Sequence, residues 1–216
     1  MNDDIAPFEN NRDLIAFAER YLDVRIKDFI KDIKICLTDD ENGSHAYFPA
    51  LLTCLSMLDL LSGLYAGNME KSTLNMLWRY VKKFMDPKKY SRTNVAVLYV
   101  GFRHKIAHHS HPCYVLDTSK DIRIPGDKRI SWMVSEKWRD APIEILPEPG
   151  GYLKAFTPPW LVPYDHRAYL SIPHIKDDIV DSINSVNGYL ETLKKDRQTR
   201  VHFARCMLYF FPPATS

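Results

Sequence analysis

The segment 101–112, GFRHKIAHHSHP, concentrates reactive side chains as no other stretch of the chain does. Arg103, His104, His108, His109 and His111 fall within nine residues, although the 216-residue sequence holds only eight histidines. Three chemistries suit such a run. The first is metal binding. On an α-helix His104, His108 and His111 stand at i, i+4 and i+7, and histidines four apart can share a zinc ion. Asp and Glu are absent from 87 to 116, however, and Arg103 and Lys105 place positive charge where a cation would sit. No metal and no cofactor are expected. The second is structural only, because basic residues at a helix end meet the negative pole of the helix dipole.

The third chemistry is phosphate cleavage. A guanidinium is a planar, permanently charged fork for phosphate oxygens. An imidazole titrates near neutrality and can take or give a proton. Together they suffice to cleave RNA without a metal. The base takes the ribose 2′-hydroxyl proton, and the 2′-oxygen attacks phosphorus while the cation stabilises charge on the equatorial oxygens. The products are a 2′,3′-cyclic phosphate and a 5′-hydroxyl, and DNA is inert for want of the 2′-hydroxyl. The charge distribution points the same way. Residues 71–111 carry nine Lys or Arg, among them Lys88, Lys89, Arg92, Arg103 and Lys105, against the single acid Asp86. The segment is +8 in a chain of net charge +2, so the remainder is −6. Such a patch suits a polyanionic partner, or else is a solvated helical face.

RHKIAH (103–108) resembles the motif of the HEPN superfamily (higher eukaryotes and prokaryotes nucleotide-binding domains), in which an arginine, a polar residue and a few further residues precede a histidine. Arg103, His104 and His108 match these in turn. The resemblance covers roughly residues 11–111 plus a returning helix. It implies a helical bundle with the motif late in it. It also implies RNA or nucleotide binding, metal-independent endoribonuclease activity with Arg103, His108 and His104 as catalytic residues, a homodimer that brings two motifs together, and a defence or toxin–antitoxin setting with an antitoxin protein as partner. Lys105, His109, Arg92, Lys88 and Lys89 are candidate phosphate contacts. Some HEPN members bind nucleotides or proteins without cleaving, which is the alternative. Ser110 stands where some members carry a tyrosine. Arg197…His202 and Arg167…His174 have similar spacing, but Gln198 follows the first arginine and Pro173 interrupts the second.

The motif needs elements to hold it. Leu14, Phe17, Tyr21 and Val24, then Ile26, Ile30, Ile33 and Leu37, predict a helix over 11–37. A nearly all-apolar helix follows over 47–65, with Pro49 in its first turn and Gly67 and Asn68 at its end. Asp59 interrupts it, and a carboxylate there needs a partner. It either supports the motif by orienting Arg103 or a histidine, or faces solvent or backbone. A third helix is expected over 72–85, capped by Ser72 and stopped by Pro87. A fourth is expected over 91–111, with Val95, Leu98, Phe102 and Ile106 as its stripe. On a straight α-helix Arg103 and His108 lie about 140° apart, which favours a site completed by a second subunit.

Residues 112–173 hold nine of the fourteen prolines around short β-rich runs: CYVL, RISWMVS, IEIL, YLKAF and AYLSI. PPWLVPYDHRAY is an aromatic, proline-rich stretch that either stacks on bases or packs over the helices. Helical spacing returns at Ile175, Ile179, Ile183, Val186, Leu190 and Leu193, and 199–210 extends it or forms a last helix. The expected fold is mainly α: a HEPN-like helical bundle of 1–111 with 174–216, bearing a proline-rich β-containing insertion, 112–173, before the C-terminal helices. The acidic start, the broken apolar runs and four cysteines without a C-x-x-C pair lead to an expectation of a cytoplasmic protein without a membrane association.

Overall fold

The computed structural model describes residues 5–39, 46–104, 106, 115–118, 128–135, 139–152 and 162–212. The protein is mostly helical with one small mixed sheet. Its order is α1 (Asn11–Cys36), α2 (Tyr47–Ala66), α3 (Leu74–Phe84), α4 (Arg92–Ala96), a π-helix π1 (Val97–His104), β1 (Leu116–Asp117), β2 (Arg129–Ser135), β3 (Ile143–Tyr152), β4 (Pro163–Ser171), α5 (Ile172–Asn184), α6 (Tyr189–Lys195) and α7 (Arg197–Phe210). It divides into two compact units, Met1–Asp32 with Ser56–Asp86 and Asp177–Ser216, and Ile33–Leu55 with Pro87–Lys176. The sheet falls in the second of these units together with α4 and π1.

The first unit is helical. Along α1 the buried line runs Leu14, Ala18, Leu22, Ile26 and Phe29, mostly at steps of four. Val24 and Ile30, expected on the apolar stripe, fall off that line and are exposed. By length and composition alone α2 could cross a membrane, and 56% of that window is buried within the protein. Gly67, at φ +71°, closes α2, and the ring of His202 packs against it so closely that a Cβ would lie 2.8 Å from the imidazole. The cap of α3 is Thr73, one residue beyond the expected Ser72, because the Ser72 hydroxyl is drawn to Asp59 instead. From α3 Leu77, Tyr80, Val81 and Phe84 are buried. Tyr80 and Phe84 meet Tyr65 of α2 and Tyr189 of α6 with ring centroids 4.9–6.3 Å apart. Ser182 donates to the Ile179 carbonyl (2.7 Å), so the buried Tyr80 hydroxyl donates to Ser182 (2.9 Å). Val186 is 80% exposed, since α5 ends at Asn184 and a turn leads to α6.

The second unit joins the sheet to the motif helix. The strand order is β1-β2-β4-β3, with β2 and β4 parallel and the other pairs antiparallel. RISWMVS is β2 as expected, whereas β3 and β4 are longer than the sequence suggests. Within YLKAF only Tyr152 is described, as the last residue of β3, and of the described residues of CYVL, Val115 and Leu116, the second begins β1. The described part of the proline-rich stretch forms β4, with Tyr164, Ala168 and Leu170 buried. Trp132 of β2 sits edge-on to Phe48 of α2 (5.3 Å) and to Phe102 of π1 (5.7 Å), which fixes sheet to helix. The Asn94 side chain adds a tie, donating to the carbonyls of Lys89 and Ile143, both at 3.3 Å.

Candidate functional site

The segment that bears the motif is not the straight α-helix expected over 91–111. Ser91 caps α4, accepting from the Asn94 N–H at 3.1 Å, and after Ala96 the helix widens into π1. The physical reason lies in what must be buried. Val97, Leu98, Gly101 and Phe102 are all buried. In an α-helix residues five apart point about 140° away from each other. Hydrogen bonding from i to i+5 brings Val97 and Phe102 back to one side. The expected stripe of Val95, Leu98, Phe102 and Ile106 is buried as well. The 140° estimate concerns the step from Arg103 to His108, which runs beyond π1 and outside the described residues.

Arg103 and His104 occupy the last two positions of π1, the arginine half-buried and the histidine exposed. The Arg103 guanidinium lies over the Tyr99 ring, 5.5 Å from its centroid. Contact with a ring face holds a guanidinium without consuming its N–H donors. Lys105, His108 and His109 lie outside the described residues.

The remaining candidates are distributed as follows. Arg92 is exposed in the first turn of α4 and Lys88 is exposed just before it. Lys89 is half-buried, and its ammonium lies 3.0 Å from Nε2 of His174. Nδ1 of His174 is 3.3 Å from the Arg139 carbonyl, so Nδ1–H donates there and Nε2 accepts from Lys89. Arg139 in turn stacks over Tyr169 (4.3 Å) and pairs with Glu144 (3.2 Å). Asp59 is half-buried in the first unit, where its Oδ1 accepts from Ser72 Oγ at 2.7 Å.

The two other Arg…His spacings end in histidines held at both nitrogens. His174 is one. His202 is the other: Nδ1–H donates to the Tyr65 carbonyl and Nε2 accepts from Gln198, each at 2.7 Å. Both are structural ties, one in the first turn of α5 and one at the end of α2. Arg167 is committed to Glu148, Nε to Oε2 at 2.6 Å, and to the Tyr164 hydroxyl.

Sequence reasoning missed Tyr99, Lys89–His174, and the Glu148–Tyr164–Arg167 cluster beside Asp165–His166. Tyr99 and Arg103 are four apart, a spacing that is legible on any helix. Lys89–His174 and Glu148–Arg167 join residues distant in sequence and carry no local signal, whereas Asp165–His166 and Tyr164–Arg167 are close in the chain. Among the described residues no group of three or more His, Cys, Asp or Glu is placed to hold a metal ion.

Fold and site together define a mostly helical protein with a small mixed sheet and a cationic, histidine-bearing end to a π-helix. Comparison with protein-family models, with curated proteins and with solved structures finds no match for this chain.

Proposed function

We propose that this chain is a HEPN-like, RNA-binding protein and a metal-independent endoribonuclease that acts as a homodimer. The observation that carries the reading is Arg103 at the end of π1. It is half-exposed, is supported from one side by the Tyr99 ring, and is the first residue of RHKIAH. π-helical turns are rare and occur often at functional positions. The basic segment that surrounds the motif supports a polyanionic substrate.

In this mechanism His108 takes the 2′-hydroxyl proton and the 2′-oxygen forms its bond to phosphorus. Arg103 neutralises the equatorial oxygens of the transition state. The bond from phosphorus to the 5′-oxygen breaks, and a protonated imidazole, with His104 assisting or orienting, returns a proton to the leaving oxygen. Lys88, Lys89, Arg92, Lys105 and His109 hold flanking phosphates. An antitoxin covering this basic surface would silence it.

The test is cleavage of a single-stranded RNA in the presence of a chelator. Arg103→Ala and His108→Ala should each lower the rate at least about 100-fold, with RNA affinity kept within a few-fold and single-stranded DNA uncut. Activity lost to chelator, or variants that cut like the parent, would refute the nuclease reading. RNA or nucleotide binding without any cleavage would leave the non-catalytic HEPN-like module instead.

A further inference from the structure

Away from the motif, a cavity of about 400 Å³ opens beside the turn that follows α2, lined by Gly67, Met69, Glu70, Arg205, Cys206 and Tyr209 among others. Its volume is in the range of small-molecule sites. Its frame is well defined. Asn68 Oδ1 accepts from the Glu70 backbone N–H at 3.0 Å and so folds the turn. The buried Cys206 thiol donates to the Gly63 carbonyl at 3.5 Å, and burial pushes its pKa up to about 11, so that wall carries no charge. Met69 and the ring of Tyr209 supply apolar surface, and Tyr209 is 55% exposed.

The two charges are the informative part. Arg205 comes from α7 and Glu70 from the turn, so one cation and one anion line the same cavity. Among the described residues neither side chain is in an ion pair or a hydrogen bond, with the other or with any third group. Both are exposed, and Met69 and the Tyr209 ring line the same cavity. A guanidinium fork matches a carboxylate, and a carboxylate matches an ammonium group.

We infer that this cavity binds a zwitterionic α-amino acid with an apolar side chain, its carboxylate on Arg205, its ammonium on Glu70 and its side chain against Met69 and Tyr209. The proposal does not depend on the RNA chemistry.

Titration calorimetry of the full chain tests it with L-phenylalanine and L-leucine, and with N-acetyl-L-phenylalanine and L-phenylalaninamide, which lack one charge each. At least one free amino acid should bind, and each blocked compound should bind at least tenfold more weakly than L-phenylalanine. Arg205→Gln and Glu70→Gln should each weaken that binding at least tenfold while circular dichroism shows an unchanged fold. Absence of binding by both free amino acids at millimolar concentration, blocked compounds that bind equally well, or folded variants with parental affinity would each overturn it.

Discussion

Helix α3 and the α4–π1 segment begin alike and end differently. Each starts with a hydroxyl cap, Thr73 accepting from Met76 N–H and Ser91 from Asn94 N–H. Helix α3 then buries Leu77, Tyr80, Val81 and Phe84, the three- and four-residue steps of an α-helix, and keeps that pitch to Met85. The other segment buries Val97 with Leu98 and Gly101 with Phe102, an arc of about 140° on an α-helix that the wider turn of π1 narrows. The difference teaches that helical pitch here follows burial. In α3 the buried residues keep to a narrow α-face; in π1 they spread wider, the pitch changes, and Arg103 and His104 close that turn.

The largest expected effect separates the two helices by function. Phe102→Ala and Phe84→Ala each remove a buried ring from an aromatic cluster, and each should cost about 3–5 kcal/mol in urea unfolding. If π1 positions Arg103, the Phe102 variant should also lose RNA cleavage at temperatures where it remains folded, whereas the Phe84 variant should keep it. Equal retention would break the comparison.

A smaller effect tests the shared starts. Thr73→Ala and Ser91→Ala should each cost about 1 kcal/mol, independent of pH. Asp196, which caps α7 by accepting from Thr199 N–H and Oγ1 at 2.6 Å each, supplies the contrast. The Thr199 hydroxyl bond, then its backbone N–H, hold the Asp196 carboxyl below its ordinary range. A depressed folded pKa means that the stabilisation is complete above the unfolded value, about pH 4, and fades as pH falls through the folded one. Acid titration of unfolding should therefore show a smaller drop below about pH 4 in Asp196→Asn than in the parent.

The smallest effect concerns pitch itself. At Gly101 a Cβ would lie 3.6 Å from Leu116, an ordinary contact. Gly101→Ala should stabilise by about 0.5–1 kcal/mol by restricting the unfolded chain. A loss of stability in thermal melts would mean that π1 needs glycine for its backbone.

Much of the helical framework was legible because its apolar residues recur at three and four. The bounds of α2 and α3 came out within two residues, and β2 matched RISWMVS. The π-turn was hidden because Val95, Leu98, Phe102 and Ile106 satisfy α-spacing equally well. Strand β4 was read short because Asp165, His166 and Arg167 interrupt its apolar alternation. At the site, residue types near Arg103 could be read locally, but the Lys89–His174 contact spans 85 positions and nothing in either segment announces it. Ser72 illustrates the same limit on a small scale. A good capping residue lost its place to Thr73 because Asp59, thirteen residues away, accepts its hydroxyl.

Strand β3 lies at one margin of the sheet and β1, two residues long, at the other. Pro147 and Pro149 deprive β3 of two N–H donors, and the irregularity between Pro147 and Gly151 bends it; a Cβ on Gly151 would sit 2.3 Å from the Tyr164 ring. A strand so interrupted is a poor template for cross-chain ladder growth. Among the described residues this margin of the sheet is thereby steered away from edge-to-edge polymerisation between copies of the chain.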